Sequence, residues 1–159
     1  MISLVRTTRL PARPERVWQF FREMDAHYTE WHPEHLVWRT LRGEPLSEGA
    51  VVFADEWIGR LRLSAQLFLH DVDPERSFSY RLGFPSSLVR GGGSFRFAPT
   101  SDGGCEMREE VQLGFSIPLV GPLVDLLLAI ALPLGELRRH MREEGERLVR
   151  LLRTTASEG

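Results

Sequence analysis

The sequence predicts an α+β fold, a curved antiparallel sheet of about six to seven strands wrapped around a long C-terminal helix, with short helical structure after the first strand. Three observations carry this. The elements run strand, short helix, then many strands with no helix between them. Turn signals separate those strands at short intervals, as hairpin connections require. The chain ends in an amphipathic helical repeat whose apolar stripe needs a sheet face to cover it. At 159 residues the chain can bury one core, and it reads as a single ligand-binding domain over 1–153 with a frayed tail at 154–159.

The elements follow in order. Residues 2–10 alternate as a strand, and Pro11 and Pro14 punctuate its end. Val17, Phe20, Phe21 and Met24 then fall at i, i+3, i+4 and i+7, an amphipathic helix with Pro14 in its first turn that ends near Asp25. Residues 26–35 read as a polar and aromatic loop. Strands are expected at 36–42, 49–58, 60–71, 76–83 and 92–98, with turns at Gly43 to Gly49, Gly59, Asp73-Pro74 and Pro85 to Gly93. The segment 60–70 gives the clearest register. Leu61, Leu63, Ala65, Leu67 and Leu69 share the inner face, and His70 is placed outward. After the turn at Asp102-Gly103-Gly104, a last strand spans 105–115. There Cys105, Met107, Val111 and Leu113 share a face with Glu109 among them. Residues 115–137 are strongly apolar, but Pro118, Gly121, Pro122, Asp125 and Pro133 argue against a regular membrane span and for a cavity wall, gate or peripheral membrane contact. Residues 136–153 form the long helix.

Composition narrows the chemistry. Net charge is −2, so neither nucleic acid nor an anionic membrane is an expected electrostatic partner. The twenty basic residues are all arginine, which excludes lysine Schiff-base chemistry. Asparagine is absent too, which excludes a Cys-His-Asn triad. The single cysteine, Cys105, forms no internal disulfide and no multi-cysteine metal site. No basic stretch followed by an apolar run opens the chain, so a cytoplasmic location is expected.

Helical geometry locates the first candidate residues. With about 100° per residue and Leu137 at zero, Met141, Leu148, Leu151 and Leu152 fall within about 60° and define a buried stripe. Glu144 falls at about −20°, inside the stripe, and His140 at about −60°, at its rim. A carboxylate on a core face must be paired, protonated or metal-bound. A histidine one turn before it can share the same proton or metal. His32 and His35, three apart around Pro33, can converge on one ion. In the apolar strand from Ala50 to Ile58, either Asp55 or Glu56 must point inward, and period two alone leaves both open. Trp31, Trp57 and Phe95 are the expected ligand-contacting residues.

The segments Leu10-Pro11-Ala12-Arg13-Pro14-Glu15-Arg16-Val17-Trp18 and Trp31-His32-Pro33 resemble the START/SRPBCC helix-grip superfamily, which includes polyketide cyclase/dehydrase domains. The likeness extends over essentially the whole chain and implies a deep apolar cavity between sheet and helix. Four segments, Trp31 to His35, Glu56 to Gly59, Gly104 to Arg108 and His140 to Glu144, are similar to the diacetylphloroglucinol hydrolases. Those are zinc-dependent members of the superfamily that cleave a carbon–carbon bond in an acylated phenol. That resemblance chooses Glu56 over Asp55. It implies a zinc site that includes His32, Glu56 and Glu144, with His140 a nearby catalytic-site histidine; His35 completes the candidate metal set, and His140 and Glu144 are the candidate catalytic groups. One departure stands out: the strand before Gly104 lacks the second metal histidine of those enzymes. Either His35 or His140 substitutes, or the site is altered or lost.

The expected function is binding of a small apolar or aromatic, polyketide- or lipid-like ligand, with metal-dependent hydrolysis or lysis of an acylated aromatic or ketone. The alternatives are a metal-free carrier of a hydrophobic ligand and a metal-free cyclase or dehydratase. Nothing in the sequence sets the oligomeric state.

Overall fold

The computed structural model describes residues 2–83, 89–115 and 134–156. Seven strands form one antiparallel sheet: β1 (Ile2–Leu10), β2 (His35–Arg42), β3 (Val51–Ile58), β4 (Leu61–Asp73), β5 (Ser77–Gly83), β6 (Val89–Pro99) and β7 (Cys105–Phe115). Their order is β1-β7-β6-β5-β4-β3-β2, so every strand from β2 to β7 pairs with its neighbour in sequence. Only the passage from β1 to β2 crosses from one edge to the other, and it carries α1 (Pro14–Arg22) and α2 (Met24–Trp31). The long helix α3 (Leu134–Ala156) packs on β1, β3 and α2. This is the predicted helix-grip arrangement.

Period-two alternation builds the inner face. On β4, Ala65, Leu67 and Leu69 are buried while Arg62, Ser64, Gln66 and His70 turn outward. Trp18 and Phe21 of α1 meet Phe78, Phe95 and Phe97 of the sheet edge to face or tilted, and Phe78 stacks on Phe95 and tilts against Phe97, at centroid separations of 5.0–6.3 Å. One expectation is corrected. Residues 26–31 are helical rather than looped, because Met24, Tyr28 and Trp31 fall on one helical face and are all buried. The apolar run between β7 and α3, with its expected peripheral membrane contact, lies for the most part outside the described residues. Among the described residues no helix is long and apolar enough to cross a membrane.

On the outer face Asp55 is held by Arg62 at 3.0 and 2.6 Å and by Ser64 at 2.6 Å. The hydrogen bonds from Arg62 and then Ser64 lower its carboxyl from 3.8 to about 2. A carboxylate whose folded value lies below its unfolded one stabilises above the unfolded value and loses that contribution as pH falls through the folded one. Asp55→Asn is therefore expected to destabilise by about 1 kcal/mol near neutral pH, the carboxylate being buried but its Arg62 partner half open to solvent. The variant should also flatten the acid limb of stability between pH values of about 4 and 2, read from urea melts across that window.

Candidate metal centre and cavity

A cavity of about 390 Å³ lies between the inner face of the sheet and α3. Its walls are overwhelmingly apolar, with Phe21, Trp38, Leu67, Phe78, Leu82 and Phe95 prominent among them. Leu61, exposed at the start of β4, and Leu134, at the start of α3, stand at its rim. Trp31 and Phe95 line it. Trp57 does not: it is 38% exposed on the outer face, with the Arg62 guanidinium 5.9 Å from its ring. The correction follows from strand parity. Once Glu56 points inward, its neighbour must point outward.

Four predicted residues meet at one end of this cavity. His35 opens β2 at an irregularity in register, where it pairs with Glu56 while Val37 pairs with Asp55. The extra residue, Leu36, is 37% exposed, and the bulge aims His35 inward beside Glu56. From α3, His140 and Glu144 project one turn apart. His35 Nε2 lies 3.0 Å from Glu144 Oε1 and 3.5 Å from Glu56 Oε2. His140 Nε2 lies 3.6 Å from Glu144 Oε1 and 3.7 Å from Glu56 Oε2. His140, placed at the rim of the stripe by rotation, is only 3% exposed because the 32–35 turn closes over it.

The other ring nitrogens fix the tautomers. His35 Nδ1 lies 3.0 Å from the Tyr28 carbonyl oxygen, which only accepts, so Nδ1 carries the hydrogen. His140 Nδ1 lies 2.8 Å from Glu34 Oε2 and donates to it in the same way. Both Nε2 atoms therefore face the carboxylate oxygens with a lone pair or a second proton. With protons as the only cations, His140 is driven to about 11. Burial alone would lower it, and the carboxylates of Glu144 and Glu56 outweigh burial. Glu144 moves the opposite way, below the usual carboxylate range. Burial would raise it, but the nearby positive charge of His140 and the hydrogen bond from His35 prevail.

The donor set also fits a metal. A tetrahedral ion with bonds of about 2.0–2.2 Å sets its ligand atoms about 3.3–3.6 Å apart. The four nitrogen–oxygen separations, 3.0–3.7 Å, bracket that range. His140 Nε2 is buried with no hydrogen-bond partner of good geometry among the described residues, as a ligand atom would be. His140 with Glu34, and His35 with the Tyr28 carbonyl, reproduce the outer contacts that metal-binding histidines ordinarily make. His32, His35 and His140 also each offer a ring nitrogen within 4.8 Å of the others. In the observed rotamer, however, His32 is committed elsewhere. Its Nδ1 accepts from the Glu34 N–H at 3.1 Å, and its Nε2 lies 3.1 Å from Glu143 Oε2. Burial and then the charge of His140 lower its basicity, so it is a neutral ring donating to Glu143.

The model for polyketide cyclase/dehydrase and lipid transport proteins matches residues 1–152. The chain belongs to this family. Among solved structures, norcoclaurine synthase from Thalictrum flavum, in complex with a transition-state analogue, superposes with a TM-score of 0.70 at 12% identity, covering 98% of this chain and 96% of that one. A START superfamily protein from Mycobacterium smegmatis gives a TM-score of 0.62 at 16% identity over 92% and 98% of the two chains. The di-domain aromatase/cyclase BexL gives 0.64 at 13% identity, with this chain spanning 46% of it. No curated protein matches in sequence. These likenesses fix the fold. The family, ligand-binding proteins and cyclases or dehydrases, fits the apolar cavity, while the four-residue cluster must be argued from its own geometry.

Several cavity residues escaped the sequence reading. Tyr28 donates its hydroxyl to Glu56 Oε2 at 2.8 Å and stacks on His35 at 3.9 Å between ring centroids. Glu34 joins His140 to Arg139, which also binds Glu136 and Glu143. Buried Glu109 and half-buried Tyr80 line the same cavity. Only Glu109 carried a readable signal, its parity with Met107 and Val111.

Proposed function

We propose that this family member is a metal-dependent hydrolase of a small apolar ketone or acylated aromatic, with zinc held by His35, Glu56, His140 and Glu144. The supporting observation is the approach of two imidazole nitrogens to two carboxylate oxygens at 3.0–3.7 Å on the wall of an apolar cavity. The reading exchanges His32 for His140 in the expected set. When bound, zinc would supply Lewis-acid polarisation of a carbonyl oxygen and a more acidic water. The chain does the rest. Aromatic and aliphatic walls bind the apolar body of the substrate and exclude bulk water. Tyr28, through its carbonyl and hydroxyl, orients His35 and Glu56, and Glu34 orients His140. His32, its ring 4.4 Å from that of His140, packs against that histidine and is itself anchored by Glu143, which is partly open to solvent.

Protein purified without an affinity tag is expected to carry about one zinc per chain by elemental analysis. Chelation should abolish carboxylate release from a panel of acylated phenols, and added zinc should restore it. Absence of metal in the purified protein, with none taken up on addition, would overturn the assignment. The ion pair of His140 with Glu144 then favours a metal-free acid–base cyclase or dehydratase.

A further inference from the structure

The cavity has a second polar feature that the metal reading leaves unused. Glu109 projects inward from β7 between Met107 and Val111 and is 5% exposed. Its carboxyl lines the cavity and has no hydrogen bond or ion pair among the described residues. Arg6, its register partner on β1, forms no ion pair with it. Tyr80, on β5, also lines the cavity, and its hydroxyl has no partner among the described residues. Strand β6 separates the two, and Tyr80 is paired there with Gly93. A Cβ at Gly93 would stand 2.6 Å from the Tyr80 hydroxyl and 2.8 Å from its Cζ. The phenol ring therefore lies over the glycine and reaches across β6 towards the Glu109 strand.

A buried carboxyl without a partner is costly to keep in a fold. Met107 and Val111 flank it on its strand and Phe95 pairs with it from β6, so a leucine would serve packing there. We propose that Glu109 and Tyr80 form a second polar pole of the cavity that receives a hydroxyl or carbonyl oxygen of the ligand. The occupant is then an apolar molecule with two oxygen functions, one at the His/Glu cluster and one here. Burial, and next the charge of Glu144, raise the Glu109 carboxyl well above the usual carboxylate range. A neutral carboxyl both donates and accepts, so with the Tyr80 hydroxyl it can serve a phenol or a ketone. The inference rests on the cavity as the ligand site and does not require the metal.

Calorimetry with para-hydroxyacetophenone and acetophenone tests it, on zinc-loaded and chelator-treated protein. The parent protein is expected to favour the hydroxylated probe by about tenfold or more, since a site built for a hydrogen bond rejects an analogue that lacks it. Glu109→Leu should reduce that preference to within about twofold, and Tyr80→Phe should lower it by about threefold, each being one partner's share of a hydrogen-bonded pair. Equal parental affinity for both probes, or a preference unchanged in both variants, overturns the pole and leaves the cavity reading standing. Failure of both probes to bind the parent overturns both.

Discussion

Glu144→Gln is expected to bind zinc about a hundredfold more weakly than the parent, or worse, and to lose carboxylate release with it. The variant keeps the size of the side chain and removes the charge. The carboxylate lies 3.0 Å from His35 Nε2 and 3.6 Å from His140 Nε2, so two ligand directions depend on it. Loss of an outer partner typically weakens metal binding by about 10–100-fold, and a direct ligand must exceed the lower part of that range. The comparison variants make the result specific. Glu34→Gln removes the charge that accepts from both His140 Nδ1–H and Arg139, and should fall about tenfold in affinity. Glu143→Gln touches His32 and Arg139 but none of the four proposed ligands, and should bind zinc within about twofold of the parent. Competition against a chromophoric chelator ranks the three. Equal losses in Glu144→Gln and Glu143→Gln would return His32 to the coordinating set. Zinc should also raise the melting temperature of the parent and not of Glu144→Gln, since a ligand stabilises only the state that binds it.

Helix rotation made Glu144 legible before any coordinates, because its place in the stripe depends only on the helical period. The same reasoning left His140 at the rim. Its burial comes from the turn at 32–35, whose Glu34 reaches His140 across a separation of 106 residues that no local pattern encodes. Strand parity held equal information about Asp55, Glu56 and Trp57. Choosing Glu56 as inward while also expecting Trp57 against the ligand set two adjacent residues on one face, which a strand does not permit. The helix at Met24–Trp31 was hidden differently. Its polar residues suggested a loop, although Met24, Tyr28 and Trp31 already carried helical spacing. Glu109 stood in plain view on the inner row of β7. What the sequence lacked was any sign that no neighbouring residue would pair with it.

The position of Glu144 depends in turn on a glycine, and a Gly145→Ala substitution is expected to show it. Gly145 is buried where α3 crosses β1. An added Cβ would stand 2.5 Å from Thr8 Oγ1 and 3.2 Å from Thr8 Cγ2. Threonine is stiff at χ1 and cannot swing clear, so the helix must lift from the sheet. Alanine gains about 1 kcal/mol over glycine in helix propensity, whereas overpacking costs about 1–3 kcal/mol, so a net loss of about 1–2 kcal/mol is expected. Zinc binding should suffer more than stability does. On the far side the helix is tied down by Trp31, whose Nε1–H donates to the Glu144 carbonyl oxygen at 2.9 Å. Lifting the β1 side therefore tilts Glu144 and His140 away from His35 and Glu56, and a metal site tolerates little of that. Thr8→Ala removes both close atoms and leaves only Thr8 Cβ, at an ordinary contact distance of 3.4 Å. The double variant Thr8→Ala/Gly145→Ala should thus recover parental zinc affinity and melt at or above the parent, the propensity gain no longer being opposed. A double variant no better than Gly145→Ala in either measurement would show that Thr8 does not set the seat of the helix.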